Sequence, residues 1–388
     1  MRIDGHELRS LQLDDDGLGI VIIDQTKLPH ELAMRRLETP QEAARAIADM
    51  QVRGAPLIGV TAAYGIALAM MQDSSDAMLA EASQLLAGAR PTAVNLMWAV
   101  DEMRRLLEPL APAERQEAAY AAAAAICEED CAMNAAIGQH GLELLRAIAA
   151  KKPPGAALNI LTHCNAGWLA TADWGTATAP IYMAHEAGMN LHVYVSETRP
   201  RNQGASLTAW EMDKLGVPHS LIVDNAAGHL MQRGEIDVVL VGTDRTTARG
   251  DVCNKIGTYL KALAASDNGV PFYVGCPSPS IDFSIEDGKQ IEIEGRSETE
   301  VTHVSGLNGS GRAQAVRVAP ARTRAVNPGF DVTPARLVTG LITERGIVRA
   351  ERYALAHIFP EQVMEASKTA NSRKQPGRLP DPAGLSQT

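Results

Sequence analysis

The chemistry-bearing residues of this chain gather at the ends of short apolar runs. The run ALNILTHCN, residues 157–165, closes on Thr162, His163, Cys164 and Asn165, and a turn at Ala166-Gly167 follows. A cysteine between a histidine and an amide is placed to act as a base or nucleophile. A free thiol with a pKa near 8.5 is only a few per cent thiolate at neutral pH, so a cation or helix N-terminus nearby must lower that value. The competing reading of a lone cysteine is a small buried hydrophobe. Asp244 leaves a second run, VVLVG at 238–242. As a general acid it must keep its proton, a shift of about 3 units or roughly 4 kcal/mol that burial supplies. Its other uses would be a helix cap or a partner for Arg245. A thiol and a carboxyl from different run ends make an acid/base pair with separated roles.

Phosphate-binding groups accompany them. Arg53-Gly54-Ala55-Pro56 precedes the apolar stretch LIGVTAAYGIALAMM, and a helix N-terminus with a glycine and an arginine is a ready anion site. An ordinary tight turn is the alternative. Asn254-Lys255 is expected to open another helix in the same manner, and Arg90, before Pro91, to reach in from the helical half. Gln203 follows the run LHVYVSET. No apolar run leads into GxGxxG, the nearest glycine cluster being GLNGSG at 306–311, and GxxxxGK[ST] is absent, which disfavours dinucleotide or nucleotide chemistry. Cys127 and Cys131 are spaced like a ligand pair but lack a second pair, so no metal and no cofactor is expected.

Positioning these groups takes two kinds of architecture. Residues 1–150 read as a mainly helical N-terminal domain with short strands near its start. A good helix start stands at Thr39-Pro40-Gln41-Glu42, a capping threonine with Pro at the first position. KKPPG at 151–155 breaks the helical pattern. Residues 151–366 then alternate five short apolar runs (157–165, 191–198, 220–226, 237–244 and 271–277) with helical stretches. That alternation predicts an α/β, Rossmann-like, doubly wound parallel sheet with ligands beyond the carboxyl ends of its strands. Segment 283–330 reads as an irregular insertion with room for a hairpin, and 367–388 as a disordered polar tail.

Composition bounds the function. With 388 residues, 46% hydrophobic and 21% charged, the chain is an ordinary globular one that needs no disulfide staples. A net charge of −10 argues against a nucleic-acid binder but leaves room for a locally positive pocket. Five cysteines in no paired framework suit a reducing, cytoplasmic setting. The polar start MRIDGHELRS lacks a signal-peptide core, and no run is read as reaching the roughly 18 apolar residues of a membrane span.

Six blocks carry a resemblance: RGAPLIGVTAAYG (53–65), RPTAVNLMWA (90–99), ILTHCNAG (160–167), ETRPRNQGASLTAWEM (197–212), VGTDR with GDVCNKIGTY (241–259), and NPGFDVTPARLVTGLITERG (327–346). In these the chain resembles the 5-methylthioribose-1-phosphate isomerase family of methionine salvage, itself related to the regulatory subunits of the exchange factor for eukaryotic translation initiation. The resemblance implies a helical domain, a Rossmann-like domain and a homodimer acting on a small sugar phosphate without nucleic acid or membrane. It implies Cys164 and Asp244 as the catalytic pair, and Arg53, Gly54, Ala55, Arg90, Gln203, Asn254 and Lys255 as substrate-binding positions. The sequence departs from the family's usual pattern at Ser196, Trp168, Thr243, Thr246-Thr247 and Arg249. The open alternatives are a sister isomerase for 5-deoxyribose 1-phosphate or ribose 1,5-bisphosphate, and a non-catalytic sugar-phosphate-sensing subunit.

Overall fold

A computed structural model describes residues 1–3, 5–91 and 93–374. Chain order opens with the antiparallel ribbon β1 (Arg2–Ile3) and β2 (His6–Glu7), then a three-stranded sheet of β3 (Leu11–Leu13), β4 (Ile20–Ile23) and β5 (Met34–Leu37). Helices follow: α1 (Pro40–Ala48), α2 (Ala55–Gln72), α3 (Asp76–Ala89), α4 (Val94–Leu107) and the 38-residue α5 (Pro112–Ala149). The start of α1 follows its sequence, since the Glu42 N–H donates to Thr39 Oγ1 at 3.1 Å and Pro40 takes the first helical position.

Helix α2 corrects one expectation. It is long and apolar enough to cross a membrane by length and composition. The expectation failed because scattered Gly, Thr and Tyr residues interrupt its apolar residues. Within the fold, 83% of it is buried inside the helical layer, against α4, α5, α1 and α3. A helix apolar on every side is satisfied by burial on every side.

The α/β part runs β6 (Leu158–His163), α6 (Ala179–Glu186), β7 (Leu191–Ser196), α7 (Ala209–Lys214), β8 (His219–Ile222), α8 (Ala226–Gln232) and β9 (Val238–Val241). Next come β10 (Arg245–Thr247), β11 (Val252–Lys255), α9 (Thr258–Asp267), β12 (Phe272–Gly275), β13 (Ile281–Asp282), α10 (Glu298–Thr302), β14 (His303–Leu307) and β15 (Ala313–Arg317). The last elements are β16 (Phe330–Thr333), β17 (Gly340–Thr343), β18 (Gly346–Val348), α11 (Arg352–Ile358) and α12 (Pro360–Lys374).

Seven strands form the main sheet in the order β18-β17-β12-β9-β6-β7-β8, parallel throughout except for the antiparallel edge pair β17–β18. Numbered from β6, the parallel strands lie 3-2-1-4-5-6, and the order reverses between β6 and β9. That is the switch point at which open α/β sheets bind ligands. The central strands β6 and β9 are buried almost continuously, as a sheet covered on both faces requires, while the edge strand β8 is only partly covered. A second sheet, β13-β10-β11-β16, is interleaved with the main sheet in sequence. The five expected runs all form main-sheet strands, and β17 and β18 add to them. The hairpin in the 283–330 segment is β14–β15. Against the expected disorder from 367, α12 continues to Lys374, because helix spacing persists through EASKTANSRK; residues 375–388 lie outside the described residues.

Two cores meet on α5. Ala119, Ala123, Ile126, Cys127 and Cys131 join the helical core, and Ile137, Leu142 and Leu145 join the core beneath the sheet. One long helix thereby ties the helical layer to the sheet, which fixes the crevice between them.

Candidate active site

The crevice at the switch point is built from three directions. Cys164 is the first residue after β6, and Asp244 follows β9, its neighbour across the reversal. The Arg53-Gly54-Ala55 turn comes from the helical layer. Gly54 caps α2 with φ 97° and ψ 136°, a conformation open to glycine, and a β-carbon there would stand 2.4 Å from the Ala170 carbonyl oxygen. Arg90 comes from the end of α3, Gln203 from the turn before α7, and Asn254 and Lys255 from β11.

All nine predicted positions line one cavity, together with Met50, His163, Thr176, Thr243 and Phe330. Its free volume is about 40 Å³, far below the roughly 300 Å³ of an ordinary small-molecule site. Two larger chambers flank it. One of about 480 Å³ shares Met50, Arg53 and Gln203, and one of about 230 Å³ shares Ala55, Arg90, Asp244 and Phe330.

One expectation changes here. Asn254 and Lys255 do not open a helix. They end β11, which is paired with β10 and β16, and α9 begins only at Thr258 behind a left-handed Gly257. The short run VCNK is half polar and carries little strand signal, although the antiparallel ladder fixes it. The two residues therefore present side chains to the cavity, not helix-end amides. Asn254 Nδ2 donates to Thr258 Oγ1 at 3.0 Å. Lys255 Nζ donates to the Gly329 carbonyl at 2.9 Å and sits 4.2 Å from the centre of the Phe330 ring.

The Cys164 loop is held by its neighbours. Cys164 and Thr198 both keep φ at 65°, the left-handed region that residues with a β-carbon rarely occupy. The Cys164 N–H donates to Thr198 Oγ1 at 2.8 Å, and the Thr208 hydroxyl donates to the Cys164 carbonyl at 2.6 Å. The Cys164 thiol reaches Gln203 Oε1 at 3.4 Å. Arg53 Nη1 donates to Asn165 Oδ1, and Nη2 to the Asn165 carbonyl at 2.8 Å. Burial drives the His163 pKa down to about 3, with the Lys261 charge adding to the effect. Its imidazole is neutral, and Nε2–H donates to the Ile256 carbonyl at 2.8 Å. It is a fixed wall of the cavity, not an acid.

Electrostatics separates the thiol and the carboxyl from the cations around them. Burial raises the Cys164 pKa, Arg53 and Lys255 pull it back, and Asp244 adds to the rise. Asp244 keeps part of its surface accessible and lines the cavity. Burial raises its pKa as well, opposed by Lys255, Arg90 and Arg53. The same cations act on both groups, so thiol and carboxyl share one field. Arg90 donates through Nη2 to Glu294 Oε2 at 3.2 Å. Among the described residues, no group of three or more His, Cys, Asp or Glu is placed to hold a metal ion.

The sequence reading named no role for Phe330, Thr198, Thr208 or Glu211. Phe330 lies in the NPGFDV block, and a phenylalanine between glycine and aspartate is its one sequence signal. The two threonines carried no signal beyond their nearness to the Cys164 and Gln203 runs.

A doubly wound sheet, a helical layer closing over its switch point and a cation-lined cavity holding a thiol and a carboxyl define an α/β protein with a charged crevice at its switch point. The chain matches the Initiation factor 2 subunit family over residues 51–350, and it belongs to that family. It is 64% identical over 364 residues to a methylthioribose-1-phosphate isomerase of Methylocella silvestris, an alignment covering 94% of this chain and 100% of that one. The solved 5-methylthioribose 1-phosphate isomerase of Pyrococcus horikoshii OT3 superposes with a TM-score of 0.79 at 37% identity, over 92% of this chain and 96% of that one. The solved translation initiation factor eIF-2B subunit delta of A. fulgidus superposes with a TM-score of 0.76 at 37% identity, over 91% and 100%.

Proposed function

We propose that this chain is an aldose–ketose isomerase converting 5-methylthioribose 1-phosphate into 5-methylthioribulose 1-phosphate. The observation that carries the reading is the convergence of Cys164 and Asp244 with Arg53, Arg90 and Lys255 on one cavity at the switch point. The names of the relatives supply the substrate.

The anomeric oxygen of such a substrate carries phosphate, so the ring cannot open as a free hemiacetal does. The ring oxygen must gain a proton as its bond to C1 breaks, and Asp244 in its protonated form, which burial favours against the pull of Lys255, Arg90 and Arg53, gives it. Cys164 as thiolate takes the C2 proton, leaving a phosphoenol, and returns that proton to C1. The C2 hydroxyl proton, released as the carbonyl forms, restores Asp244. Acid and base thus share one proton between them: burial favours the protonated form of each, and the reactive arrangement forms when the cations Arg53 and Lys255 draw the sulfur to its thiolate while Asp244 holds the proton. Arg53 and Lys255 offset the developing enolate charge. The Gly54-Ala55 end of α2 with Arg90 holds the phosphate, Asn254 binds the sugar, and Gln203, whose Oε1 accepts the S–H of the resting thiol at 3.4 Å, orients the sulfur before its proton leaves. A hydride shift from C2 to C1 is the competing route, and deuterium entering C1 from heavy water supports the proton route.

The departures from the family pattern favour the methylthio substrate over a bisphosphate. The Ser196 hydroxyl donates to Asp224 at 2.5 Å, and Trp168 is fully buried against Trp210, so neither lines the cavity. Arg249 is paired with Glu286, and Arg201 with Glu300, so among the described residues neither arginine is a free cation for a second phosphate. Five free cysteines, all buried, support a reducing, cytoplasmic setting, and a homodimer completes the reading.

The test offers purified protein the 1-phosphates of 5-methylthioribose and 5-deoxyribose, and ribose 1,5-bisphosphate, with ketose formation as the readout. The highest kcat/KM is expected for the methylthio sugar. Higher kcat/KM for another sugar would reassign the substrate, and no turnover of any of the three would favour a sensing subunit.

A further inference from the structure

Behind the Cys164 loop lies a carboxylate that the reaction does not use. Glu211, on α7, has no accessible surface and does not line the cavity. Two of its three partners, Asn165 and Leu169, lie on the chain that follows Cys164. Tyr182, from α6, donates its hydroxyl to Oε2, while Asn165 Nδ2 at 3.0 Å and the Leu169 N–H at 2.9 Å donate to Oε1. The loop is wrapped onto this group so closely that a β-carbon at Gly167 would stand 1.7 Å from Oε2. Asn165 faces two ways, with its amide nitrogen on Glu211 and its amide oxygen receiving Arg53 Nη1. Exchanging the two ends of that amide would set N–H against N–H and oxygen against carboxylate, so Glu211 fixes which end Arg53 meets.

We infer that Glu211 is a positioning residue for the thiol. It holds the Cys164–Gly167 loop and, through Asn165, keeps the Arg53 guanidinium in register with the Cys164 sulfur. A buried carboxylate beside an arginine also sets how much of that arginine's charge the sulfur feels. The titratable and charged groups facing Glu211 are Tyr182 from α6 and Arg53 from the turn before α2. Burial, only partly offset by its hydrogen bonds and by Arg53, pushes its pKa up to about 7. Above that pH its charge opposes Arg53, and below it Arg53 acts unopposed.

The inference rests on the isomerase reading only where its test uses turnover. The main measurement is alkylation by iodoacetamide across pH, quantified on the peptide carrying Cys164, because Cys127, Cys131, Cys253 and Cys276 are also free thiols. Glu211→Gln keeps the shape and an acceptor oxygen but removes the charge. Its Cys164 should alkylate about 3- to 10-fold faster than wild type at pH 8, because the thiol pKa falls when Arg53 is no longer opposed. The kcat/KM profile of Glu211→Gln should also lose an inflection near pH 7. Tyr182→Phe removes one hydrogen bond from the carboxylate and makes it harder to ionise. It should shift alkylation the same way by a smaller factor, which keeps the test open if Glu211→Gln does not fold. Alkylation profiles that superimpose on wild type at every pH would overturn the inference, whatever happens to thermal stability. Faster alkylation in a protein without turnover would remove the isomerase reading and leave Glu211 its role.

Discussion

Replacing Gly54 with alanine tests the cradle at the start of α2. Gly54 holds φ at 97°, and the added methyl would meet Ala170 at 2.4 Å from its carbonyl oxygen and 2.6 Å from its Cα. Backbone in this region costs a residue with a β-carbon about 1–3 kcal/mol. Forcing a methyl against main chain that cannot swing aside costs about 1–3 kcal/mol more. The expected destabilisation is therefore roughly 2–6 kcal/mol, or a Tm lower by roughly 3–7 °C for a chain of this length. The clash lies at the end of α2 that we propose meets the phosphate, so relief must move that end. A displacement near 1 Å at a positioning group costs on the order of 100-fold in rate, and KM for the 1-phosphate should rise about 10-fold or more. Calorimetry and steady-state kinetics on Gly54→Ala measure both effects. Gly88→Ala is the control: Gly88 sits in α3 with nothing within 4 Å of an added β-carbon, and alanine there should leave stability unchanged or raise it by up to about 1 kcal/mol. A Gly54→Ala protein with Tm within about 2 °C of wild type and an unchanged KM would refute the reasoning.

Cys164→Ser and Asp244→Asn should each lower kcat by about 100- to 10,000-fold while leaving the circular dichroism spectrum unchanged, and near-normal turnover in either would remove that residue from the chemistry. Glu294→Gln releases Arg90 from a carboxylate 3.2 Å away, so KM for the sugar phosphate should fall about 2- to 5-fold at low salt, with less change at high salt. A KM that does not respond would mean that Arg90 does not meet the phosphate. Asp130 accepts the Ala172 N–H at 2.7 Å, and burial raises its pKa to about 7 from 3.8. Between those values the unfolded chain has lost this proton and the folded chain has kept it. Stability therefore falls as pH rises through that window, by on the order of 4 kcal/mol once pH exceeds 7. Asp130→Asn has no such proton to keep, and its Tm plotted from pH 4 to 8 should be flatter than that of wild type; parallel curves would count against the shift.

The parts of the fold that repeat a simple pattern could be read directly. Alternating apolar runs and helices announce a parallel sheet, and Cys164 and Asp244 stand out because ionisable side chains follow apolar runs that must be strands. The strands β17 and β18 escaped because Gly340–Thr343 and Gly346–Val348 are short and glycine-bounded; β17 earns its strand state from pairing with β12, far away in sequence, and β18 from the tight hairpin it then makes with β17. Asn254 and Lys255 were placed on a helix for the same reason: local preference is weak in VCNK, and the ladder to β16, more than 70 residues away, decides it. Glu211 was invisible in another way. A glutamate between Trp210 and Met212 looks like the exposed position of a half-buried helix, and only the surrounding chain reveals that its partners are a tyrosine, an asparagine and a loop amide. Pairing between distant segments and the satisfaction of buried polar groups are the two things that one-dimensional periodicity does not record.

The left-handed backbone at Cys164 bears on descent as well as on chemistry. At φ 65° a thiol-bearing residue is a worse fit to its own main chain than glycine or asparagine would be. Folding alone gives mutation a standing incentive to discard the sulfur. A lineage freed from turnover would gain firmness by that single exchange while every strand stayed in place, so the residue found at this bend in a related chain would tell whether the proposed reaction is still under selection there.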